Sequence, residues 1–353
     1  MSENLKDTVQ NFLKKKLYEN DFIEKNDEFS LTTILLNLKK PKFSSPRNTT
    51  ITHLNHIFNT ETESPLKLKK KNTFLSSFEE NEAIINILTP TNKVKIIIYY
   101  PRQFEALRRA YGISLKNFIK SLTLSNSWNN TGGKSSASFT KSYDHFFVFK
   151  YLKNHEFMMF KTYALEFFKY MYKIKFNQKK SLLSKLFGMF EIHIDSDRFC
   201  VIAMENLFFG MENLPSLKIY DLKGSETNRY IANAKKDQVL LDTNFRIDQN
   251  GEPLSLKIEF HETLIKALKN DTKFLSSHNL VDYSLLLIID PKSNKIKVGI
   301  IDYLRLYTWD KQVESMGKYV INKGQIPTII NPLEYSTRFM EAMSKYFMGV
   351  NFN

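Results

Sequence analysis

Three charges in this chain stand where a charge is costly. Lys150 lies inside the apolar run FFVFKYL, and Asp282 and Asp302 lie inside LVDYSLLLI and VGIIDYLRL. A buried ammonium or carboxylate needs a counter-ion, a metal or a full set of hydrogen bonds. A further cluster, DLKGSETNR, follows the strand-like KIY and gathers Asp221, Lys223, Gly224, Ser225 and Arg229. Taken alone it reads as a surface turn, since Gly and Ser punctuate loops. The other reading is an anion site, where Lys and Arg beside a glycine bend surround a phosphate with donors. Upstream, TGGKSSASF brings together Gly132, Gly133, Ser135, Ser136 and Ala137. That stretch is either a plain hairpin or a loop whose small residues let backbone N–H groups approach phosphates closely.

Phosphoryl transfer asks for such a set: phosphates cradled, charge neutralised, a metal held and a hydroxyl aligned. Glu156, at the start of the helix after Lys150, can orient that lysine toward nucleotide phosphates; alternatively Lys150 snorkels from an edge strand. Asp282 and Asp302 are a hairpin apart. Either a divalent cation bridging ATP phosphates meets one of them while the other orients the attacking hydroxyl, or both are structural acids satisfied by backbone donors. Counted with the DLKGS cluster, the constellation predicts a phosphotransferase.

The elements that must position these groups follow from hydrophobic spacing. The chain has 353 residues, 42% hydrophobic and 14% aromatic, enough for one large core or two lobes. VKIIIYYP and HFFVFKYL read as strands, FEALRRAYGISLKNFIKSL and NHEFMMFKTYALEFFKYMYKI as helices. LFGMFEIHI and RFCVIAMENLFF are strand-like; HETLIKALKND and LEYSTRFMEAMSKYF are helical and flank the strand pair VDYSLLLIID and IKVGIIDYLRLY. The predicted fold class is α+β in two lobes, with antiparallel sheets and flanking helices. Residues 1–94 read as a basic, partly flexible extension, with a linker near 44–75.

Composition narrows the partners. Lys and Arg exceed Asp and Glu to give a net charge of +14, which favours a polyanionic partner such as nucleic acid, an anionic membrane or a phosphorylated ligand. The lone Cys200 excludes an intrachain disulfide and a cysteine-rich zinc site. No apolar stretch approaches the ~18 residues of a membrane span, and MSENLKDTVQ is too charged for a signal peptide, so membrane contact is expected to be peripheral. No HExxH or close His pair is present, and any metal is expected to arrive with a substrate.

DLKGSETNR, VDYSLLLI, VGIIDYLRLYTWDK and YSTRFMEAMSKYF, in that order and spacing, resemble the phosphatidylinositol phosphate kinase family. TGGKSSASF, VIAMENLFFG, FLSSHNLVDYSLL and IPTIINPLEYSTRF most resemble its type III branch, the phosphatidylinositol 3-phosphate 5-kinases. The resemblance covers roughly residues 95 to 350. It implies a two-lobed catalytic domain over 95–353, distantly protein-kinase-like, with an N-lobe to about 205 and a C-lobe from about 206. It also implies transfer of the ATP γ-phosphate to the inositol ring, with phosphatidylinositol 3-phosphate as substrate and Mg2+ or Mn2+ as the metal. HRD and DFG are missing in their protein-kinase setting, and no nucleic-acid-binding module is recognisable.

The resemblance assigns roles as well. The loop with Gly132, Gly133, Lys134, Ser135 and Ser136 would cover the nucleotide phosphates, and Lys150, held by Glu156, would contact them. Met204, Glu205, Asn206 and Leu207 would form the hinge that meets adenine through its backbone. Asp282 would be the catalytic aspartate, Asp302 would bind the metal, Lys223 would lie at the reaction centre and Arg229 would help hold lipid phosphates. Residues 309–332 would be a specificity loop, its Lys311, Lys318 and Lys323 set among apolar side chains suited to an anionic interface. Localisation would be cytoplasmic and peripheral, on endosomal or vacuolar membranes. Ser136, Ile288 and Gln312 depart from the family pattern without touching the named groups. The competing reading is a catalytically weak phosphoinositide-binding or scaffold protein with the same fold.

Overall fold

A computed structural model describes residues 82–88, 93–122, 125–128, 139–142, 144–211, 214, 217–235, 238–307 and 330–351. They divide into two compact units, the first holding the described residues up to 129 with 138–151 and 186–204, the second holding 152–185 and the described residues from 205 onward.

The first unit opens with β1 (Glu82–Leu88) and β2 (Lys93–Tyr99), then α1 (Pro101–Ala110) and α2 (Leu115–Leu122). β3 (Ser125–Trp128), β4 (Phe139–Ser142) and β5 (Phe147–Leu152) follow. After α3 (Asn154–Phe176), whose packing lies in the second unit, β6 (Leu186–Ile194) and β7 (Asp197–Glu205) complete a seven-stranded sheet in the order β1-β2-β6-β7-β5-β4-β3. β1 falls inside the stretch expected to be an extension. Its residues pair antiparallel with β2 from Glu82–Tyr99 to Leu88–Lys93, so the folded unit begins earlier than basic composition suggested.

The helical spacing of FEALRRAYGISLKNFIKSL continues through a break. Pro101 starts α1 at a position where its missing N–H costs nothing, and the chain turns at Gly112 (φ +75°) before α2 begins. Phe118 of α2 meets Phe147 edge to face at 5.1 Å, in a core shared with Ile113, Phe149, Phe187, Val201 and Ala203. Arg108 is buried beneath it, donating to the Phe187 carbonyl at 2.5 Å and standing over the Phe118 ring. Phe147 and Phe149 alternate with Val148 and Lys150 along β5, which puts Lys150 on the sheet face opposite this core.

The second unit contains α3, β8 (Lys218–Leu222), α4 (Asp242–Asp248), β9 (Leu254–Lys257) and α5 (Ile258–Ser277). It continues with β10 (Ser284–Asp290), β11 (Lys295–Ile301), α6 (Pro332–Tyr346) and β12 (Phe347–Val350). β10 runs antiparallel to both β8 and β11, and β12 runs parallel to β9. Every residue of β10 is buried, which explains the apolar run LLLII: a central strand covered on both faces needs no polar alternation. α3 buries Phe157, Phe160, Ala164, Phe167, Met171 and Ile174, a stripe at helical spacing in which each phenylalanine contributes about 1.5–3 kcal/mol. This stripe accounts for residues 152–185 grouping with the second unit, whereas an N-lobe reaching to 205 would include them.

Candidate active site

Register brings three loops to one end of the β8-β10-β11 sheet. β10 pairs Ser284 with Ile301 and Leu285 with Leu222. Asp282 before β10, Asp302 after β11 and Lys223 after β8 therefore leave the sheet at the same end. The two aspartates were expected inside strands; both lie just outside, in the left-handed region at φ +65° and +58°. Asp tolerates that conformation better than β-branched or bulky residues do.

The charge of Asp282 is met by cations of the chain itself. Lys223 Nζ donates to the Asp282 carbonyl at 2.9 Å and to its Oδ1 at 2.5 Å, and Arg305 Nη1 donates to Oδ2. The Lys223 and Asp282 side chains are 15% and 18% exposed, so water weakens this pair only in part. The backbone around them is closed by a short ladder, Val281 N–H to the Arg305 carbonyl at 3.0 Å and Tyr307 N–H to the Asn279 carbonyl at 2.7 Å. Tyr335 of α6 braces the same loop, donating to the Tyr283 carbonyl at 2.5 Å. Arg305 was not singled out from the sequence. A lone arginine after IIDYL carries no local signal that its partner stands at Asp282.

The turn bearing Asp302 is held through the next residue. Tyr163 of α3 donates to the Tyr303 carbonyl at 2.9 Å, and the Tyr303 hydroxyl donates to the Ser184 carbonyl. Ser184 N–H in turn donates to the Ile300 carbonyl of β11 at 2.9 Å. The segment leading to Ser184 is tied down by the fully buried Asp271 of α5. Its carboxylate accepts from Tyr170 (2.5 Å), Ser181 (2.8 Å) and Leu182 N–H (2.6 Å). Burial pushes the Asp271 pKa up to about 6 despite those donors.

The DLKGS loop rests on an acid that the sequence did not reveal. Asp242, 0% exposed at the start of α4, accepts from Lys223 N–H, Gly224 N–H, Arg229 Nε and the Tyr346 hydroxyl. Gly224 sits at φ +66°, and a Cβ there would stand 2.8 Å from Ala342 Cβ and 3.2 Å from the Arg338 carbonyl oxygen of α6. The glycine thus serves both a left-handed turn and a close approach. Arg229, expected to hold lipid phosphates, is instead committed inside the loop. Its Nε donates to Asp242 at 2.8 Å and its Nη2 to the Asp221 carboxylate at 2.5 Å, with the side chain 11% exposed. Two ion pairs would have to open before it could meet a ligand through those groups.

The remaining expected residues stand as follows. Lys150 is buried in β5 of the first unit, opposite Phe139 of β4. Glu156 belongs to the second unit, where its carboxylate accepts from Lys153 N–H at 3.0 Å in the first turn of α3, an end where the helix dipole favours an anion. Met204 pairs with Leu186 in the first unit, and the chain passes to the second at Glu205, which bonds Lys185 through backbone and side chain. Asn206 is buried and accepts from Phe208 N–H, while Leu207 lies against Gly299 of β11, where a Cβ would come within 2.6 Å of it. Gly132, Gly133, Lys134, Ser135 and Ser136, and Lys311, Lys318 and Lys323, lie outside the described residues.

Among the described residues no group of three or more His, Cys, Asp or Glu side chains gathers as a metal cage. A Mg2+ that keeps its waters and binds substrate phosphates requires only one or two protein carboxylates. Asp302 at the sheet end is one such carboxylate, whereas both oxygens of Asp282 already accept from Lys223 and Arg305.

Comparison with known proteins points the same way. A profile of the phosphatidylinositol-4-phosphate 5-kinase family matches residues 123–297 and 289–346. The chain is 37% identical over 269 residues to FAB1D of Arabidopsis thaliana, covering 73% of this chain and 18% of that one. It is 35% identical over 267 residues to the mouse protein named 1-phosphatidylinositol 3-phosphate 5-kinase, covering 72% and 13%. Similarity to 1-phosphatidylinositol 3-phosphate 5-kinase FAB1 of Saccharomyces cerevisiae is also 35%, over 270 residues, covering 72% and 12%. The chain thus matches less than a fifth of the length of each of these relatives.

Proposed function

The chain belongs to the phosphatidylinositol-4-phosphate 5-kinase family, and on that premise we propose that it is an ATP-dependent lipid kinase acting on phosphatidylinositol 3-phosphate at the 5-hydroxyl. The observation that carries this reading is the ammonium of Lys223 fixed on Asp282 at the end of the sheet where Asp302 also emerges. The choice of lipid follows from relatives named for that substrate and from the type III character of IPTIINPLEYSTRF.

In this reading Asp282 accepts a hydrogen bond from the attacking hydroxyl and aligns its oxygen, which matters more than strong base character in a loose phosphoryl-transfer transition state. Lys223 and Arg305 keep that carboxylate from rotating, and the Lys223 ammonium would offset the charge spread over the oxygens of the transferred phosphoryl group. Asp302 would ligate Mg2+, or Mn2+, which when bound supplies charge neutralisation on the ATP phosphates. Lys150, Glu156, the Gly132–Ser136 loop and Met204–Leu207 would serve ATP. Arg229 acts as a brace, so recognition of the lipid phosphate is given to Lys311, Lys318 and Lys323. The net charge of +14 would dock the protein on anionic endosomal or vacuolar membranes. No helix among the described residues is long and apolar enough to cross a membrane.

The test is transfer from labelled ATP, with Mg2+, to vesicles carrying each monophosphorylated phosphoinositide, followed by chromatography of the deacylated product. Phosphatidylinositol 3-phosphate should give the 3,5-bisphosphate fastest. Equal transfer to all three lipids would remove the substrate assignment, and no transfer to any would remove the kinase reading.

A further inference from the structure

Asp242 lies in LLDTNF, 19 residues after Lys223 and 13 after Arg229, and is fully buried. Its two oxygens collect four donors. Lys223 N–H reaches Oδ1 at 3.0 Å and Oδ2 at 3.1 Å, and Gly224 N–H reaches Oδ1 at 2.8 Å. Arg229 Nε reaches Oδ2 at 2.8 Å, and the Tyr346 hydroxyl reaches Oδ1 at 3.1 Å. The first two donors cannot be served by the sheet, because the β8–β10 pairing ends at Leu222. The left-handed Gly224 then turns consecutive N–H groups toward one point, forming a backbone concavity that holds an anion. Here that anion is a side chain of the same chain.

We propose that Asp242 is a positioning residue for phosphoryl transfer: by gripping the backbone of Lys223 and Gly224 it sets the Lys223 ammonium on Asp282. The proposal rests on the lipid-kinase reading of that site. Its physical basis is the shortness of the connection. The amide of Lys223 is fixed by Asp242 and its Nζ by Asp282, so one residue is clamped at both ends. Asparagine has a single oxygen and would leave part of the donor set without an acceptor, and it would leave the buried Arg229 with only Asp221 as a charged partner. The loop would then settle elsewhere, and a shift of about 1 Å in a group at the reacting centre costs about 10²-fold in rate.

A purely structural anchor would behave differently from a positioning residue, and two variants separate them. Asp242→Asn and Tyr346→Phe both remove part of the same hydrogen-bond set, but only the first replaces the acceptor of the Lys223–Gly224 backbone; the second removes one donor to it. With phosphatidylinositol 3-phosphate vesicles, kcat per folded molecule of Asp242→Asn should fall about 10²-fold with KM for ATP near the wild-type value, and Tyr346→Phe should keep its kcat. Equal losses in the two variants, or a loss that disappears on correcting for folded fraction, would overturn the proposal. Two readouts do not depend on turnover. The Lys223 amine of the wild-type protein should resist acetylation and become reactive in Asp242→Asn. In wild type alone, the Lys223 and Gly224 amides should exchange hydrogen as slowly as those of Leu285–Leu287, and fast exchange would overturn the proposal even if the variant does not fold. Should the wild type transfer phosphate to no phosphoinositide, the kinase reading falls, while labelling and exchange still decide whether Asp242 sets Lys223.

Discussion

Replacing Gly224 with alanine tests whether the DLKGS loop is wedged against α6. Two costs can be worked from the structure. The residue sits at φ +66°, where a Cβ adds about 1–2 kcal/mol relative to the right-handed backbone. That Cβ would also lie 2.8 Å from Ala342 Cβ, 3.2 Å from the Arg338 carbonyl oxygen and 3.2 Å from Phe339 Cα. All three atoms are fixed to the helix backbone, so no rotamer change relieves the contact, and overpacking of this kind costs about 1–3 kcal/mol. Together these give about 2–5 kcal/mol of destabilisation, read as a shift in the urea midpoint without a large change in slope. Ala342→Gly removes the shortest contact at a helix cost of about 1 kcal/mol, so the double variant should recover part of the loss as a coupling energy of about 1–2 kcal/mol. Transfer activity should follow the loop and drop more than the folded fraction does. A Gly224→Ala protein within 0.5 kcal/mol of wild type, with its transfer rate unchanged, would refute the close approach.

Lys223→Met should leave nucleotide binding intact and lower transfer by about 10²–10³-fold, the usual effect of removing one donor from developing charge; a loss under tenfold, by single-turnover assay, would take Lys223 out of the reaction centre. Asp302→Asn should keep its fold by circular dichroism and lose transfer in both Mg2+ and Mn2+, and full activity in a folded Asp302→Asn protein would remove that residue from the mechanism. Asp271 makes stability depend on pH. With the folded pKa raised to about 6 from an ordinary 3.8, the native state holds a proton that the unfolded chain has released, so stability falls as pH rises through this window and levels off above it. The advantage of wild type over Asp271→Asn in urea melts should shrink by on the order of 2–3 kcal/mol across that range, and a constant difference would contradict the buried titration.

What could be read from the sequence was whatever a residue's own neighbours determine. The stripe of α3 and the apolar run of β10 announce a half-buried helix and a central strand, because burial pattern and period are local properties. Pairing of β10 with β11 followed from their short separation. What could not be read depended on partners distant in the chain. Asp282 was seen to need compensation, and the local sequence offered a divalent cation or backbone donors for the pair of aspartates; the cations placed against it, Lys223 and Arg305, come from 59 and 23 residues away. Asp242 gave no signal at all, since an acid opening a helix is an ordinary feature and nothing near it shows which backbone it will hold. β1 was hidden for another reason: EAIINIL follows a polar stretch with short lysine runs such as KLKKKN, which was read as an extension.

Two charge sets share the DLKGS segment, and their balance separates chemistry from scaffolding. Around Asp282 the charges are the cations Lys223 and Arg305 on one carboxylate, with Asp302 emerging at the same end of the sheet; the paired side chains are 15–34% exposed. Around Arg229 they are one guanidinium with Asp221 and Asp242, +1 −1 −1, a deficit of one, with the side chains 0–21% exposed. Asp242 of the second set also accepts from the backbone N–H groups of Lys223 and Gly224 and from the Tyr346 hydroxyl, so its oxygens stay satisfied with no ligand. The cations of the Asp282 set are more exposed than Arg229, at 15% and 34% against 11%. In the lipid-kinase reading they would meet the incoming phosphoryl group, and because they are already fixed on Asp282, little reorganisation would be needed as its charge is redistributed. The lysine and the arginine of one short motif are therefore not interchangeable: Lys223 is held on Asp282, and Arg229 is held between the buried Asp242 and the partly exposed Asp221.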